Sequence, residues 1–180
     1  MTKETYAKLT GAMRRNAKLT HLLNILNNVL TYLIFAAYPT ILVYLLIKDR
    51  ERLPMAIAVP AVSFVLLSAF RRAVNFPRPY EVFEMPPVIP KNTKGRSFPS
   101  RHVFCVAIIG ITALYALPEL PVIGIMILVI AVLMAVLRVC SGVHFPRDVI
   151  VGFLCGVLMS AAGYLFTFKV KFVCEVLFLR

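Results

Sequence analysis

The sequence predicts an all-α protein: a polytopic membrane helix bundle with about five transmembrane helices, six being the alternative, and an N-terminal interfacial helix. Apolar residues make up 60% of the 180 residues, and the mean hydropathy is +0.84. Charged residues make up 16%, whereas soluble domains average about 45–50% apolar and about 25% charged residues. The apolar residues also fall into long runs between short polar segments. These observations exclude an ordinary soluble domain.

The net charge of +12, from 20 basic and 8 acidic residues, is distributed between the apolar runs. A nucleic-acid-binding protein gathers its basic residues on one face. We therefore expect no nucleic acid partner, and instead contact with membrane lipids or an anionic substrate. A chain of this length has room for one membrane-embedded domain over residues 1–180. Any chemistry is expected to take place among the helices.

Residues 1–20 are predicted to form an interfacial amphipathic segment. Tyr6, Leu9 and Met13 recur at helical spacing among basic residues, which is typical of a helix lying on a membrane. A solvated, frayed terminus is the alternative. The run from Leu19 to Ile47 contains no Lys, Arg, Asp or Glu. It predicts the first span, with Pro39 as a site for a kink.

Four further apolar runs predict the remaining spans, at Leu53–Phe70, Val103–Leu117, Val122–Leu137 and Pro146–Phe168. Residues 71–101 form the long polar stretch, and its many prolines disfavour a regular helix. Long loops in compact domains are commonly functional, so residues 80–99 are predicted to be a substrate loop or lid. Gly152 and Gly156 are four apart on the fifth span and predict close helix packing.

Five spans bring three polar segments to one face of the membrane: the end of the second span, the start of the third, and the connection between the fourth and fifth. Arg71, Arg78 and Arg138 lie in these segments. A single arginine at a helix end can simply reach the lipid headgroups. Three together are costly to hold at the boundary unless an anion meets them, and the planar guanidinium suits phosphate oxygens. The pattern therefore predicts a phosphate-binding site.

Nucleophile and acid candidates lie in the same segments. Ser100 stands where a helix N-cap belongs, so its hydroxyl and the free N–H groups after it can hold an anion. His144 and Asp148 are four apart, which places the carboxylate where it can orient the imidazole. His102, on another helix, can then act as general acid. Each histidine taken singly can also be structural, and His21, which has no such neighbours, is interpreted that way.

Taken together, these residues resemble the three-part signature of the type 2 phosphatidic acid phosphatase superfamily, in its membrane branch. That branch includes bacterial undecaprenyl-diphosphate, phosphatidylglycerophosphate and lipid A phosphatases. The resemblance extends over about residues 53–165. The matching segments are Arg71-x6-Arg78-Pro79, Pro99-Ser100-Arg101-His102 and Arg138-x5-His144-x3-Asp148.

The resemblance implies a metal-independent, vanadate-sensitive phosphatase that has no cofactor and works through a phosphohistidine on His144. Asp148 would orient that histidine, and His102 would protonate the leaving oxygen. The phosphoryl group would be bound by Arg71, Arg78, Ser100 and Arg138. The chain also lacks the paired carboxylates that a two-metal phosphatase needs, since Glu81 and Glu84 are the one close acidic pair near these segments.

Three positions depart from the usual family pattern. Arg71 replaces a lysine, which keeps the charge and changes the geometry. Leu137, before Arg138, replaces a serine. Arg101 replaces a glycine, and it either binds a second phosphate or acidic headgroup or points into solvent. These changes bear on the identity of the substrate.

The expected function is hydrolysis of a lipid phosphate or diphosphate, such as undecaprenyl diphosphate or a glycerophospholipid phosphate monoester. The expected location is a bacterial cell membrane, with the active face on either side. Two alternatives remain at this point: phosphoryl transfer from lipid to lipid, and binding of anionic lipid without catalysis. A vanadate-dependent haloperoxidase would share the residues, but those enzymes are generally soluble and this chain is strongly apolar.

Overall fold

A computed structural model describes residues 1–178, with side chains described as far as residue 167. Within that part of the chain there is no β-strand, which confirms the all-α prediction. The helices in chain order are α1 Lys3–Arg15, α2 Ala17–Lys48, α3 Leu53–Val74, α4 Pro79–Val82, α5 Arg101–Ala116, α6 Pro121–Cys140 and α7 Pro146–Phe178.

Five of these helices, α2, α3, α5, α6 and α7, coincide with the five predicted spans. Four segments are long and apolar enough to cross a membrane: Ala17–Lys48, Leu53–Val82, Pro121–Cys140 and Pro146–Thr167. The remaining apolar helix, α5, has 16 residues and is about 24 Å long. Large apolar side chains such as Phe35 and Leu158 are exposed on the outside of the bundle. In a bilayer this surface faces lipid, so the chain is a multi-pass membrane protein.

Helix α5 lies at the centre of the bundle, in contact with α2, α3, α6 and α7. Most of its side chains are buried. Small residues let its neighbours approach: a Cβ on Gly124 of α6 would lie 2.9 Å from the Gly110 carbonyl oxygen of α5. A Cβ on Gly156 of α7 would lie 2.8 Å from the carbonyl oxygen of Phe104. The predicted close packing at Gly152 and Gly156 is thereby confirmed.

The helix boundaries follow from local chemistry. Helix α2 begins after Asn16, whose side chain accepts a hydrogen bond from the Leu19 N–H. Pro39 lies inside α2, which continues through it. Pro121 and Pro146 start α6 and α7, because the first helical position needs no N–H donor.

The expectation that residues 71–101 avoid helix is wrong at their beginning. Helix α3 passes the predicted end at Phe70 and stops at Asn75, which has a left-handed φ of 45°. Arg71 and Arg72 precede the first proline of the stretch, and cations are favoured in the last turn of a helix. A second, four-residue helix, α4, follows. The rest of the stretch is irregular, as predicted.

Gly152 lies where α7 packs against the start of α5, next to the backbone of Ser100. A Cβ at this position would lie 2.7 Å from the carbonyl oxygen of Ser100, a backbone atom that cannot move aside alone. We expect Gly152→Ala to push α7 away from the start of α5 and to destabilise the protein by about 1–3 kcal/mol. Thermal unfolding in detergent measures this.

Gly11→Ala is the matched control, because nothing lies within 4 Å of a Cβ there. Alanine favours helix over glycine by up to about 1 kcal/mol, so this variant should be at least as stable as the wild type. An unchanged melting temperature for Gly152→Ala would contradict the packing described.

Candidate active site

The predicted site residues gather at one end of the bundle, where α3 ends, α5 begins and the α6–α7 connection passes. The backbone N–H of Ser100, at the start of α5, donates to the carbonyl oxygen of Asp148 in the first turn of α7 at 2.8 Å. This hydrogen bond joins two segments that lie far apart in the sequence. It places the Ser100–His102 segment next to the His144–Asp148 segment.

His144 and Asp148 form a buried pair. Nδ1 of His144 lies 3.5 Å from Oδ2 of Asp148, and the two residues are 2% and 0% exposed. The Ser97 hydroxyl donates to the same Oδ2 at 2.5 Å, and the Phe145 N–H donates to it at 3.1 Å. Since Nδ1 faces the carboxylate, it carries the ring proton in the neutral tautomer. Nε2 is then left with its lone pair as the reactive nitrogen.

Burial sets the protonation state of His144. It lowers the pKa of the imidazole to about 4, although the hydrogen bond with Asp148 raises the pKa, and the positive charge of Arg78 lowers it further. The ordinary histidine value is about 6.5. At neutral pH the side chain is therefore uncharged and able to act as a nucleophile.

Arg71, Arg78 and Arg138 are each only 6% exposed. Arg71 donates to the carbonyl oxygen of Ser97 at 3.3 Å and to that of Arg96. Arg78 donates through Nε to the carbonyl oxygen of Gly95 at 3.1 Å and through Nη1 to that of Val143 at 3.3 Å. The Nε of Arg138 is buried and has no hydrogen-bond partner among the described residues.

None of these guanidinium groups forms an ion pair within the described part of the chain, although Asp148 attracts Arg71 and Arg78 from a greater distance, and Glu81 attracts Arg78. No carboxylate there lies within 4 Å of any of the three, and Arg78 interacts repulsively with both Arg71 and Arg138. Burying a cation without a counter-charge is strongly unfavourable. The arrangement is electrostatically incomplete until an anion enters.

Ser100 occupies the N-cap position of α5, as predicted, but its hydroxyl makes no capping hydrogen bond. Its Oγ is buried and has no partner among the described residues. An anion at this end of α5 can accept from that hydroxyl and from the first N–H groups of the helix, where the helix dipole is positive. Asp148 Oδ1 also lacks a hydrogen bond, with Arg147 Nε 3.6 Å away.

His102 and Arg101 lie on the other side of this position. His102 is partly buried and close enough to His144 and Arg138 to interact with both electrostatically. Arg101 is exposed, and its guanidinium carbon lies 5.9 Å from the ring centroid of Phe64. Seven of the eight predicted residues thus lie in the buried site or at its edge. The eighth, Arg101, lies beside the site.

Arg101 lines an apolar cavity of about 570 Å³ between α2, α3 and α5. Its floor and sides are hydrocarbon, including Ile34, Phe35 and Ala61, and its polar end is formed by Arg101 and His102. We call it the tail groove.

The segment 80–99 covers the arginines. Glu81 links the two ends of this segment: its carboxylate accepts from the N–H of Arg78 at 2.8 Å and from the N–H of Gly95 at 2.9 and 3.1 Å. Val88 is buried, and its N–H donates to the carbonyl oxygen of Ser141 at 2.9 Å. The predicted role of this segment as a lid stays a prediction.

Sequence reasoning missed three residues of the site. Glu81 had a signal, because a proline at the first helical position followed by glutamate two residues later is typical of a capping box. Ser97 had none, since only the path of an irregular loop brings it to Asp148. Lys91 had none either. It is partly buried, and the pKa of its ammonium group is lowered by burial and by Arg138 and Arg78.

Two solved structures resemble the whole fold. The crystal structure of Aquifex aeolicus LpxE has a TM-score of 0.68 and 26% sequence identity, covering 89% of this chain and 93% of that one. The first transmembrane PAP2 type phosphatidylglycerolphosphate phosphatase from Bacillus subtilis has a TM-score of 0.66 and 22% identity, covering 93% and 86%. The second likeness concerns the fold alone.

Sequence comparison gives the family. A search of curated protein sequences finds no significant match. A family model for the PAP2 superfamily matches residues 53–172, which extend from the start of α3 into α7 and contain every predicted site residue. The chain therefore belongs to the PAP2 superfamily and is a multi-pass membrane lipid phosphatase.

Proposed function

We propose that the enzyme hydrolyses a lipid phosphate or diphosphate through a phosphohistidine on His144, without a metal ion. One observation carries the proposal: three buried arginines, with no carboxylate within 4 Å among the described residues, stand beside a neutral histidine. A phosphoryl group supplies the missing negative charge and also the atom that the histidine attacks. The positive charge of the site would repel a divalent cation.

In the first step, the oxygens of the transferring phosphoryl group bind Arg71, Arg78 and Arg138, and the Ser100 hydroxyl donates to one of them. Nε2 of His144 attacks phosphorus, and the bond from phosphorus to the leaving oxygen breaks. His102 gives that oxygen its proton. The positive charge that develops on the His144 ring is stabilised by Asp148, which already faces Nδ1.

In the second step, a water molecule attacks the phosphorus of the phosphohistidine. His102, now neutral, takes a proton from the water, the P–N bond breaks, and His144 is regenerated with inorganic phosphate as the product. The protein contributes mainly position and charge, since stabilisation of the equatorial phosphoryl oxygens dominates such reactions. The arginines and the start of α5 provide this stabilisation in both steps.

The tail groove supports a lipid as the substrate, because most of its lining is apolar and the proposed general acid, His102, is one of its lining residues. A chain lying in the groove places its ester oxygen next to His102. Arg101 at the groove and Lys91 above the site add positive charge outside the three buried arginines. This favours a substrate with further negative charge, such as a prenyl diphosphate or a phosphatidylglycerophosphate.

Phosphate release tests the reaction. Purified protein in excess chelator should release phosphate from prenyl diphosphates, phosphatidate, phosphatidylglycerophosphate or lipid A. His144→Ala should reduce release at least about a thousandfold, because the nucleophile is lost. His21→Ala is the matched control, since His21 is exposed on α2, and it should keep wild-type activity. Release by His144→Ala at the wild-type rate would refute the mechanism.

The pH dependence tests the state of His144. Protonation removes the Nε2 lone pair, so the contribution of this residue to kcat/KM should be lost only as pH falls through about 4, well below 6.5. Asp148 raises the pKa of His144, so Asp148→Asn should move this acid limb to lower pH.

The same Asp148→Asn variant should lower kcat about a hundredfold or more, because the phosphohistidine loses its counter-charge. Both enzymes are compared on one substrate, so that titration of the substrate phosphate cancels. An acid limb near pH 6.5 that belongs to His144, or a limb that Asp148→Asn moves upward, would contradict this assignment.

Blocking the groove tests the lipid class. Ala61→Trp fills the tail groove, so it should raise KM for a long-chain lipid phosphate about tenfold or more and leave hydrolysis of a small soluble phosphate ester unchanged. Val62→Trp, on the outer surface of the same helix, is the control and should change neither. Equal effects of Ala61→Trp on both substrates would remove the groove from the proposal.

A further inference from the structure

Helix α1 lies directly against the connection that carries His144. Tyr6 is fully buried, although it belongs to a helix whose other side chains are mostly exposed. Its hydroxyl lies within hydrogen-bond distance of two carbonyl oxygens, that of Gly142 at 3.2 Å and that of Met85 at 3.4 Å. One side chain of α1 thus contacts both the α6–α7 connection and the segment 80–99.

Two side chains of α1 pack closely against Gly142. Gly142 has a φ of 74°, and a Cβ there would lie 2.8 Å from the Tyr6 hydroxyl and 2.9 Å from Cγ2 of Thr10. Thr10 is also fully buried. The backbone at residue 142 therefore adopts a left-handed conformation directly beneath α1, where only glycine leaves room for these two side chains.

The aromatic rings continue this contact to the residue after the nucleophile. The Tyr6 ring lies 5.3 Å from the ring of Phe83, and the Phe83 ring lies 5.9 Å from that of Phe145. Phe145 is mostly buried, and its N–H donates to Asp148. Aromatic pairs at these spacings are attractive, so α1 contacts the connection directly at Gly142 and is linked to Phe145 through Phe83.

Within the connection itself, the backbone hydrogen bonds have ordinary length up to Gly142, since the Ser141 N–H donates to Leu137 and the Gly142 N–H to Val139 at 2.9 Å, and they become longer after it. The N–H groups of Val143 and His144 both donate to the Arg138 carbonyl oxygen, at 3.2 and 3.3 Å. Contacts from other segments therefore contribute much of what fixes this backbone. The Val88 N–H donates to the carbonyl oxygen of Ser141, and Arg78 donates to that of Val143. The Tyr6 hydroxyl donates to the carbonyl oxygen of Gly142.

We infer that Tyr6 is a positioning residue of the phosphatase: through Gly142 and Phe83 it holds the α6–α7 connection so that His144 points at the phosphoryl group. The inference rests on the proposed function, because it assigns the nucleophile to His144. Among the described residues, no hydrogen bond or ring contact joins Tyr6 to Arg71 or Ser100, so the role assigned to Tyr6 concerns the nucleophile more than substrate binding. Burial raises the pKa of the Tyr6 hydroxyl to about 12, and it remains a donor over the working range.

Tyr6→Phe tests this role, because it keeps the ring and removes the hydrogen bonds to Gly142 and Met85. We expect kcat to fall about five- to tenfold, since small displacements of a reacting group are costly, while KM for a soluble phosphate ester stays within about twofold. Amide hydrogen exchange in residues 141–145 should become faster. The exchange measurement does not depend on catalysis.

Tyr164→Phe is the matched control. It removes a buried tyrosine hydrogen bond, to Thr112 at 2.8 Å, about 24 Å along α7 from Asp148. This variant should lose a similar amount of thermal stability but keep wild-type kcat and wild-type exchange in residues 141–145. A structural role alone would give the two variants the same kinetics.

The outcomes separate the two proposals. Wild-type kcat and wild-type exchange in Tyr6→Phe overturn the positioning role, and so does an equal loss of kcat in Tyr164→Phe. Full activity of His144→Ala in the same assay refutes the proposed function instead. The exchange measurement then decides by itself whether Tyr6 holds the connection. Faster exchange in residues 141–145 supports this role of Tyr6, and unchanged exchange overturns it.

Discussion

The site depends on the burial of three like charges at one end of a helix bundle. Arg71, Arg78 and Arg138 come from different segments, and backbone carbonyl oxygens accept hydrogen bonds from the side chains of Arg71 and Arg78. Carbonyl oxygens fix the direction of a guanidinium but do not neutralise it. In the proposed mechanism, the phosphate group supplies the negative charge that neutralises the guanidinium groups. The proposed mechanism places Ser100 and the His144–Asp148 pair around the same phosphoryl group.

The helices of the fold could be predicted from the sequence because few backbone structures can cross a bilayer. Uncharged runs long enough to cross it must be helices, since each backbone polar group has to be satisfied within its own segment. The residues at which the helices end were less predictable. Arg71 and Arg72 interrupt the apolar run, yet they extend α3 by a turn, because a basic last turn stabilises a helix that the run had already started.

The site could be predicted in its motif residues and not in the residues that support them. Arg71, Ser100, His144 and their partners lie in three segments whose spacing resembles a known family signature, and the spans bring these segments to one face. Ser97 reaches Asp148 only through an irregular loop, and Tyr6 reaches Gly142 from 136 residues away. Contacts of that kind depend on the packing of segments against each other, which no local pattern encodes.

The lengths of the central helices have a consequence for how the two products separate. From the far ends of α3, α5 and α6 to the arginines and Ser100 is about 24–27 Å at 1.5 Å per residue, slightly less than the roughly 30 Å of a hydrocarbon core. A lipid therefore meets the site by diffusing in the plane of the membrane, with its chain still in hydrocarbon. Phosphate then departs into water and the dephosphorylated lipid stays in the bilayer, so the two products are partitioned into different phases as soon as they are released.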